Sequence, residues 1–236
     1  MNVFDLLVTN KKPSNFNDIA LSAGNRELLL AFISEQKYSK QLLEHGLEPN
    51  NKLLLHGSSG CGKTMTANAI AASLGRNLLT LSLSTIVSAR IGETSKSLKL
   101  VFDKASREKA VLFLDEFDQL GKSRSSEDTD VGEMRRLVNS IIQLIDYYPS
   151  DAVLIAATNH YEVLDIALKR RFQLKISYEM PGKAQLDAFY DNLLHNYPDF
   201  NTLNRQYGIS YAEAKDYTMT TIKRSLIEKW AAEEAV

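Results

Sequence analysis

Cysteine is almost absent from this chain. Of 236 residues only Cys61 carries a thiol, so no intramolecular disulfide can form. The fold must rest on a packed core, and a reducing, cytosolic setting fits. The four histidines, His45, His56, His160 and His195, show no metal-ligand spacing and no H-E-x-x-H, which excludes a fused zinc protease. No apolar run approaches the roughly 18 residues of a membrane span. Met1 to Pro13 lacks the apolar centre of a secretory signal. An excess of either charge is missing too: 28 basic and 29 acidic residues leave a formal net charge of −1. That argues against a general grip on nucleic acid, although a local basic patch such as Lys169-Arg170-Arg171 or Arg135-Arg136 is compatible with it. There is no internal repeat and no extended low-complexity segment. What remains is an ordinary globular composition, 44% hydrophobic and 24% charged, at a length that suits one large domain or a core with a small lobe.

The most informative stretch is Gly57-Ser58-Ser59-Gly60-Cys61-Gly62-Lys63-Thr64, which fits G-x-x-x-x-G-K-[ST], the Walker A phosphate loop. Gly57, Gly60 and Gly62 permit backbone turns and close approaches that a Cβ would obstruct. The backbone N–H groups of such a loop can form an anion nest at a helix N-terminus. Lys63 is placed to reach the β- and γ-phosphates of a nucleotide, and the Thr64 hydroxyl to ligate Mg²⁺. Met65 opens the helix that follows. The context fits: Lys52 to His56 before the loop is a short apolar run suited to a buried strand, and Met65 to Leu74 after it reads as a helix with a mostly small apolar surface. Cys61 lies within the loop, where a positive helix end would lower a thiol pKa. The simpler reading is a tolerated small residue.

Ala110-Val111-Leu112-Phe113-Leu114-Asp115-Glu116 is the second such stretch. Its consecutive apolar residues indicate a strand buried on both faces, as in a parallel sheet. Two carboxylates end it, at the edge where ligands bind in open α/β sheets. This is a Walker B pattern: Asp115 would hold Mg²⁺, directly or through water, and Glu116 would polarise an attacking water.

Further strands are expected over 77–83, 152–156 and 172–176. Helices are expected over 24–47 (broken near Lys37), 94–109, 131–148 and 166–171. Residues 84–93 look less regular, and 121–130 read as a mobile loop. Pro181-Gly182 marks a boundary, beyond which the sequence turns helical over 183–197 and 210–235.

The order of these pieces resembles the AAA+ ATPases, and within them the AAA proteins that remodel other proteins, including severing-type members such as katanin and spastin and FtsH-like modules. The resemblance rests on residues 57–64, 111–116, the Ala-Ala-Thr-Asn run ending at Asn159, and Leu164 to Phe172. It implies an α/β fold, a P-loop NTPase core with a five-stranded parallel sheet, followed by a small α-helical lid. Residues 1–15 would then be a flexible lead-in, 16–179 the ATPase core and 180–236 the lid. It implies ATP and Mg²⁺ as cofactors and a ring, usually a hexamer, with each site completed by a neighbour. Asn159 matches the sensor position whose amide helps hold the attacking water. Arg170 and Arg171 match the arginine-finger positions, without a basis for choosing between them. Asp18 and Ile19 resemble the segment that lines the adenine pocket, although a hydrophobic staple ahead of a helix reads as well. Protein substrates or adaptors, and a separate protease, are the partners such relatives have. At the aligned central-pore loop this chain carries Arg90 and Ile91 instead of an aromatic residue. No sensor 2 arginine is evident, Arg205 and Arg224 being substitutes by position only. The rival readings are a motor or loader acting on nucleic acid, an ATP-gated scaffold without useful turnover, and a small-molecule phosphotransferase.

Overall fold

The computed structural model describes residues 7–9, 14–88, 94–122 and 130–234. Its centre is one six-stranded sheet with spatial order β1-β3-β4-β5-β2-β6. The strands are β1 (Leu7–Thr9), β2 (Lys52–Gly57), β3 (Leu78–Ser82), β4 (Val111–Asp115), β5 (Val153–Thr158) and β6 (Leu174–Tyr178). The pairs β3–β4, β4–β5 and β5–β2 are parallel. The five strands read from the sequence are all present. The sixth, β1, falls inside the stretch read as a lead-in, and pairs antiparallel with β3, Leu7 opposite Leu81.

Apart from their polar ends, β2, β4 and β5 are apolar throughout because both faces are covered. Leu54, Leu79, Leu81, Leu112, Leu114, Leu154 and Ala156 join one core with the apolar stripes of α5 (Thr94–Arg107) and α7 (Asp130–Asp146). Those stripes, Leu98, Val101, Phe102 and Ala105 on one helix and Leu137, Val138, Ile141 and Ile145 on the other, repeat at helical spacing. The alternate strand residues Leu53, Leu55, Val111, Phe113, Val153 and Ile155 are equally buried. By the two-residue period of a strand they face the other side, where α3 (Lys63–Ser73) packs against β3, β4 and β5 and also meets α1 (Ala23–Lys37). The small buried residues Thr66, Ala67, Ala69 and Ala71 let α3 lie close to the sheet. Ser22 caps α1 by accepting a hydrogen bond from the Asn25 N–H at 3.2 Å, and Tyr38 separates α1 from α2 (Ser39–Glu44), at the break expected near Lys37.

Leu83, expected to end a strand, and residues 84–88, expected to be less regular, form the short helix α4 (Leu83–Ser88), anchored by the buried Leu83 and Ile86. Serine, threonine and valine there mask a helical pair of apolar residues. The pore-loop positions Arg90 and Ile91, and most of the loop expected over 121–130, lie outside the described residues. Two four-residue helices, α6 (Gln119–Lys122) and α8 (Ile166–Lys169), follow β4 and precede β6.

The chain divides into two compact units: residues 1–57 with 63–177, and residues 58–62 with 178–236. The second holds α9 (Lys183–Leu194) and α10 (Tyr211–Glu234), joined around Leu186, Tyr190 and Ala214. Arg205 is held there by Asp187, at 3.0 Å, and by Asp191.

One polar residue is buried at the start of the central strands. Asn51 is 2% exposed, and its amide donates to the carbonyls of Pro149 at 2.8 Å and Ala152 at 2.9 Å, fixing the turn into β5. Asn51→Ala removes the side-chain donor from both carbonyls and leaves Pro149 only the Ala152 N–H, at 3.1 Å, and urea unfolding is expected to show a loss of about 1–3 kcal/mol; an unchanged midpoint would contradict this account of the turn.

Candidate functional site

Strand register decides which polar groups meet. Ser82 pairs with Asp115 across β3–β4, and His56 with Thr158 across β2–β5. Four adjacent strands of the first unit therefore end side by side in polar residues, at the carboxyl edge where open α/β sheets bind ligands. Asn159 follows β5 directly and is exposed. Gly57 ends β2, and Lys63 and Thr64 begin α3.

The loop has the backbone its glycines allow. Gly57, Gly60 and Gly62 have φ of 119°, 71° and 104°, in the region disfavoured for other residues. Within the second unit, Gly60 also lies where a Cβ would fall 2.5 Å from the Ser210 hydroxyl oxygen, and its carbonyl accepts from the Ala212 N–H at 3.1 Å. Ser58 donates its N–H to the Tyr178 carbonyl at 2.8 Å. Cys61 is buried, with Sγ 3.5 Å from the Ser59 carbonyl, so its thiol serves as a small packed group. Lys63 is 8% exposed and donates from Nζ to the Gly57 carbonyl at 2.8 Å, closing the ends of the loop with an ammonium. Thr64 and Met65 are exposed.

At the end of β4 the two carboxylates separate in environment. Burial, above all, raises the Asp115 pKa, and the nearby charges of Glu116 and Asp118 add to this. The Glu116 N–H donating to its Oδ1 and the positive charge of Lys63 act the other way. Glu116 is exposed and has φ of 55°, a left-handed conformation that costs a non-glycine residue roughly 1–2 kcal/mol. Such strain persists where the surroundings fix it. Here Phe117 donates its N–H to the Ala157 carbonyl at 2.8 Å, and the Ser82 hydroxyl donates to Glu116 Oε2 at 2.6 Å. Beneath them Thr158 donates from Oγ1 to the buried Asp118 at 3.0 Å and accepts from the His160 N–H at 3.0 Å, setting the path of the chain through Asn159. Ser82, Asp118 and Thr158 were not legible as site residues. The third carboxylate in Asp115-Glu116-Phe117-Asp118 was the one available signal.

The two arginines after α8 have different surroundings. Arg171 bonds Asp146, the last residue of α7, through Nε at 3.1 Å and Nη2 at 3.3 Å, and gives Nη1 to the Ala167 carbonyl at 2.7 Å. Arg170 is exposed. Asp18 turns back on its own segment, accepting from the Asn15 N–H at 3.3 Å, while Ile19 is buried. Among the described residues no cluster of three or more His, Cys, Asp or Glu could cage a metal. Thr64 and Asp115 are hard oxygen donors, of the kind that hold Mg²⁺ through one or two protein groups alongside phosphate and water.

With this geometry in view, comparison with known proteins is direct. Residues 53–180 match the model of the ATPase family associated with various cellular activities, and the chain belongs to this AAA family. It is 36% identical over 219 residues to an uncharacterized AAA family ATPase, y4kL, of Sinorhizobium fredii, covering 91% of this chain and 66% of that protein. It is 32% identical over 209 residues to the proteasome-activating nucleotidase of Thermococcus onnurineus, covering 79% of this chain and 52% of that protein. The chain thus spans two thirds or less of these relatives. Its fold matches the crystal structure of the FIGL-1 AAA domain with a TM-score of 0.69 at 23% identity, over 89% of this chain and 72% of the other. No helix among the described residues is long and apolar enough to cross a membrane.

His56 gives this edge of the sheet a pH dependence. Its ring stacks on Tyr161 at 4.2 Å between centroids, and Lys169 Nζ lies 4.5 Å from the centre of the same Tyr161 ring. Burial, and then the charges of Lys63, Lys169 and Lys175, lower the pKa of His56 from its usual 6.5. The folded chain holds that proton more weakly than the unfolded one. The stability at stake is therefore full above pH 6.5 and is lost as pH falls through the lowered value. His56→Phe keeps an aromatic stack without the titration, so its melting temperature is expected to fall less on acidification than that of the natural chain; parallel slopes would contradict this.

Proposed function

We propose that this AAA domain binds ATP with Mg²⁺ on the 57–64 loop and hydrolyses it at sites shared between neighbouring copies of a ring, a hexamer, in the cytoplasm. The cycle is read as remodelling protein substrates, with an adaptor or a separate protease as working partner. The observation that carries the shared site is the contrast between the arginines: Arg171 is tied to Asp146 and Ala167 of its own chain, while Arg170 is exposed at the end of the same short helix. Arg170 is therefore read as the finger that enters a neighbour's site, and Arg171 as the residue that positions it. A guanidinium offers fixed, permanently charged donors for charge on a transferring phosphoryl group.

Within one chain the remaining roles follow from position. The loop N–H groups of Ser58, Ser59, Gly60, Cys61 and Gly62 and the Lys63 ammonium would bind phosphate oxygens. Thr64 and Asp115 would hold Mg²⁺, which supplies charge neutralisation at the phosphates. Glu116 would take the proton from the attacking water, with Ser82 orienting its carboxylate, and Asn159 would orient the same water without changing charge. Asp18 and Ile19 remain the candidates for the adenine side. The name of one relative, the proteasome-activating nucleotidase, supports action on a protein assembly.

Glu116→Gln is expected to keep ATP binding and lose turnover by on the order of a hundredfold or more, the scale of a general base; unchanged turnover would remove Glu116 from that role. Chains carrying Arg170→Ala, mixed with chains carrying Lys63→Ala, are expected to regain activity neither has alone, because some interfaces then combine an intact loop with an intact finger. No recovery at any mixing ratio would count against the shared site.

A further inference from the structure

The last helix carries an outward face that the nucleotide site does not use. On α10 the buried side is formed by Ala214, Thr218 and Ile222. The opposite side bears Ile227, 61% exposed, and Trp230, 53% exposed, with Leu226 half-buried at their margin. Apolar side chains of this size clustered on an outer helix face mark an interaction surface, and tryptophan is the residue most enriched where binding energy concentrates.

The charges on the same face say what it fits. Lys223, Ile227, Trp230 and Glu234 follow one another at helical steps of four, three and four residues, so they form a single stripe. Lys223 and Glu234 are both exposed. The stripe begins with a cation, ends with an anion, and holds its two large apolar groups symmetrically between them. An identical stripe laid antiparallel against it sets Lys223 opposite Glu234 at both ends and Ile227 opposite Trp230 twice in the middle, since both pairs share a midpoint between Glu228 and Lys229. A parallel copy would set like charges together.

We propose that this face binds a second copy of the chain, by two-fold antiparallel pairing of the distal halves of α10. Such a contact is isologous, each copy presenting the same patch. The stripe covers only about 16 Å of helix, so the pairing belongs to the small, reversible class of interfaces. It gains strength where several act together between assembled rings. It uses none of the residues assigned to ATP, and it holds whether or not the arginine contact forms.

Trp230 is the only tryptophan, so its emission reports this face alone. All chains in the test carry Arg170→Ala, without nucleotide, to leave the ring contact out. As concentration rises, the emission is expected to shift to the blue while sedimentation shows two chains associating. Trp230→Ala, followed by sedimentation, is expected to raise the half-association concentration at least about tenfold, the size of an ordinary hot-spot truncation. Lys223→Glu alone and Glu234→Lys alone should each abolish pairing, because like charges then meet at both ends. Mixed in equal amounts, they should pair again, because every end of the mixed pair joins opposite charges. Circular dichroism confirms that these surface variants remain folded. Absence of any association by the natural face, association indifferent to both reversals, or loss that mixing does not restore would each overturn the proposal; the last is the result expected if a neighbour's other surface or an unrelated protein covers this face.

Discussion

Burial of parallel strands on both faces leaves one place for polar chemistry, and the rest of the structure follows from it. Leu53 to Leu55, Val111 to Leu114 and Val153 to Ala157 are sealed between helix layers, where an unpaired polar group would be costly. Polar side chains can emerge only where the strands run out. The parallel register brings those ends to one edge, so Ser82, Asp115, Thr158 and His56 become neighbours although they are far apart in sequence. The glycine loop leaves the same edge, since β2 must turn there to begin α3.

Short polar links tie the groups at this edge together. Ser82 fixes one oxygen of Glu116, Thr158 connects Asp118 to the backbone of His160, and Lys63 closes the loop onto Gly57. Each link positions a group whose chemistry is tied to charge, in surroundings where burial has already shifted the Asp115 carboxyl upward. Hydrogen-bonded networks of this kind hold polar groups in a fixed arrangement. The left-handed backbone of Glu116 is held in place by the same links and by the Phe117 N–H on the Ala157 carbonyl.

The parts legible from sequence were those whose physics is local. A run such as Val111 to Leu114 needs no partner to be read as a buried strand, and the phosphate loop carries its own glycines and lysine. The break in the first long helix, near Lys37, was visible in the same way. The three-residue strand β1 was not, because a run as short as Leu6-Leu7-Val8, followed at once by the polar Thr9 to Lys12, does not distinguish an edge strand from a lead-in. Helix α4 was hidden by serines and a threonine that favour caps and turns. Ser82 and Thr158 acquire their place only through strand register, which sequence spacing does not reveal. The difference between Arg170 and Arg171 is likewise tertiary: it depends on Asp146, at the end of another helix.

The central claim is that one chain supplies the loop and the carboxylates while another supplies a fixed positive charge. Specific ATPase activity, measured per chain across a wide range of protein concentration with Mg²⁺ and saturating ATP, tests it most directly. Turnover per chain should be low in dilute solution, rise steeply as copies assemble, and then level off. A rate per chain that is already maximal for the dilute monomer and stays flat with concentration would contradict the account.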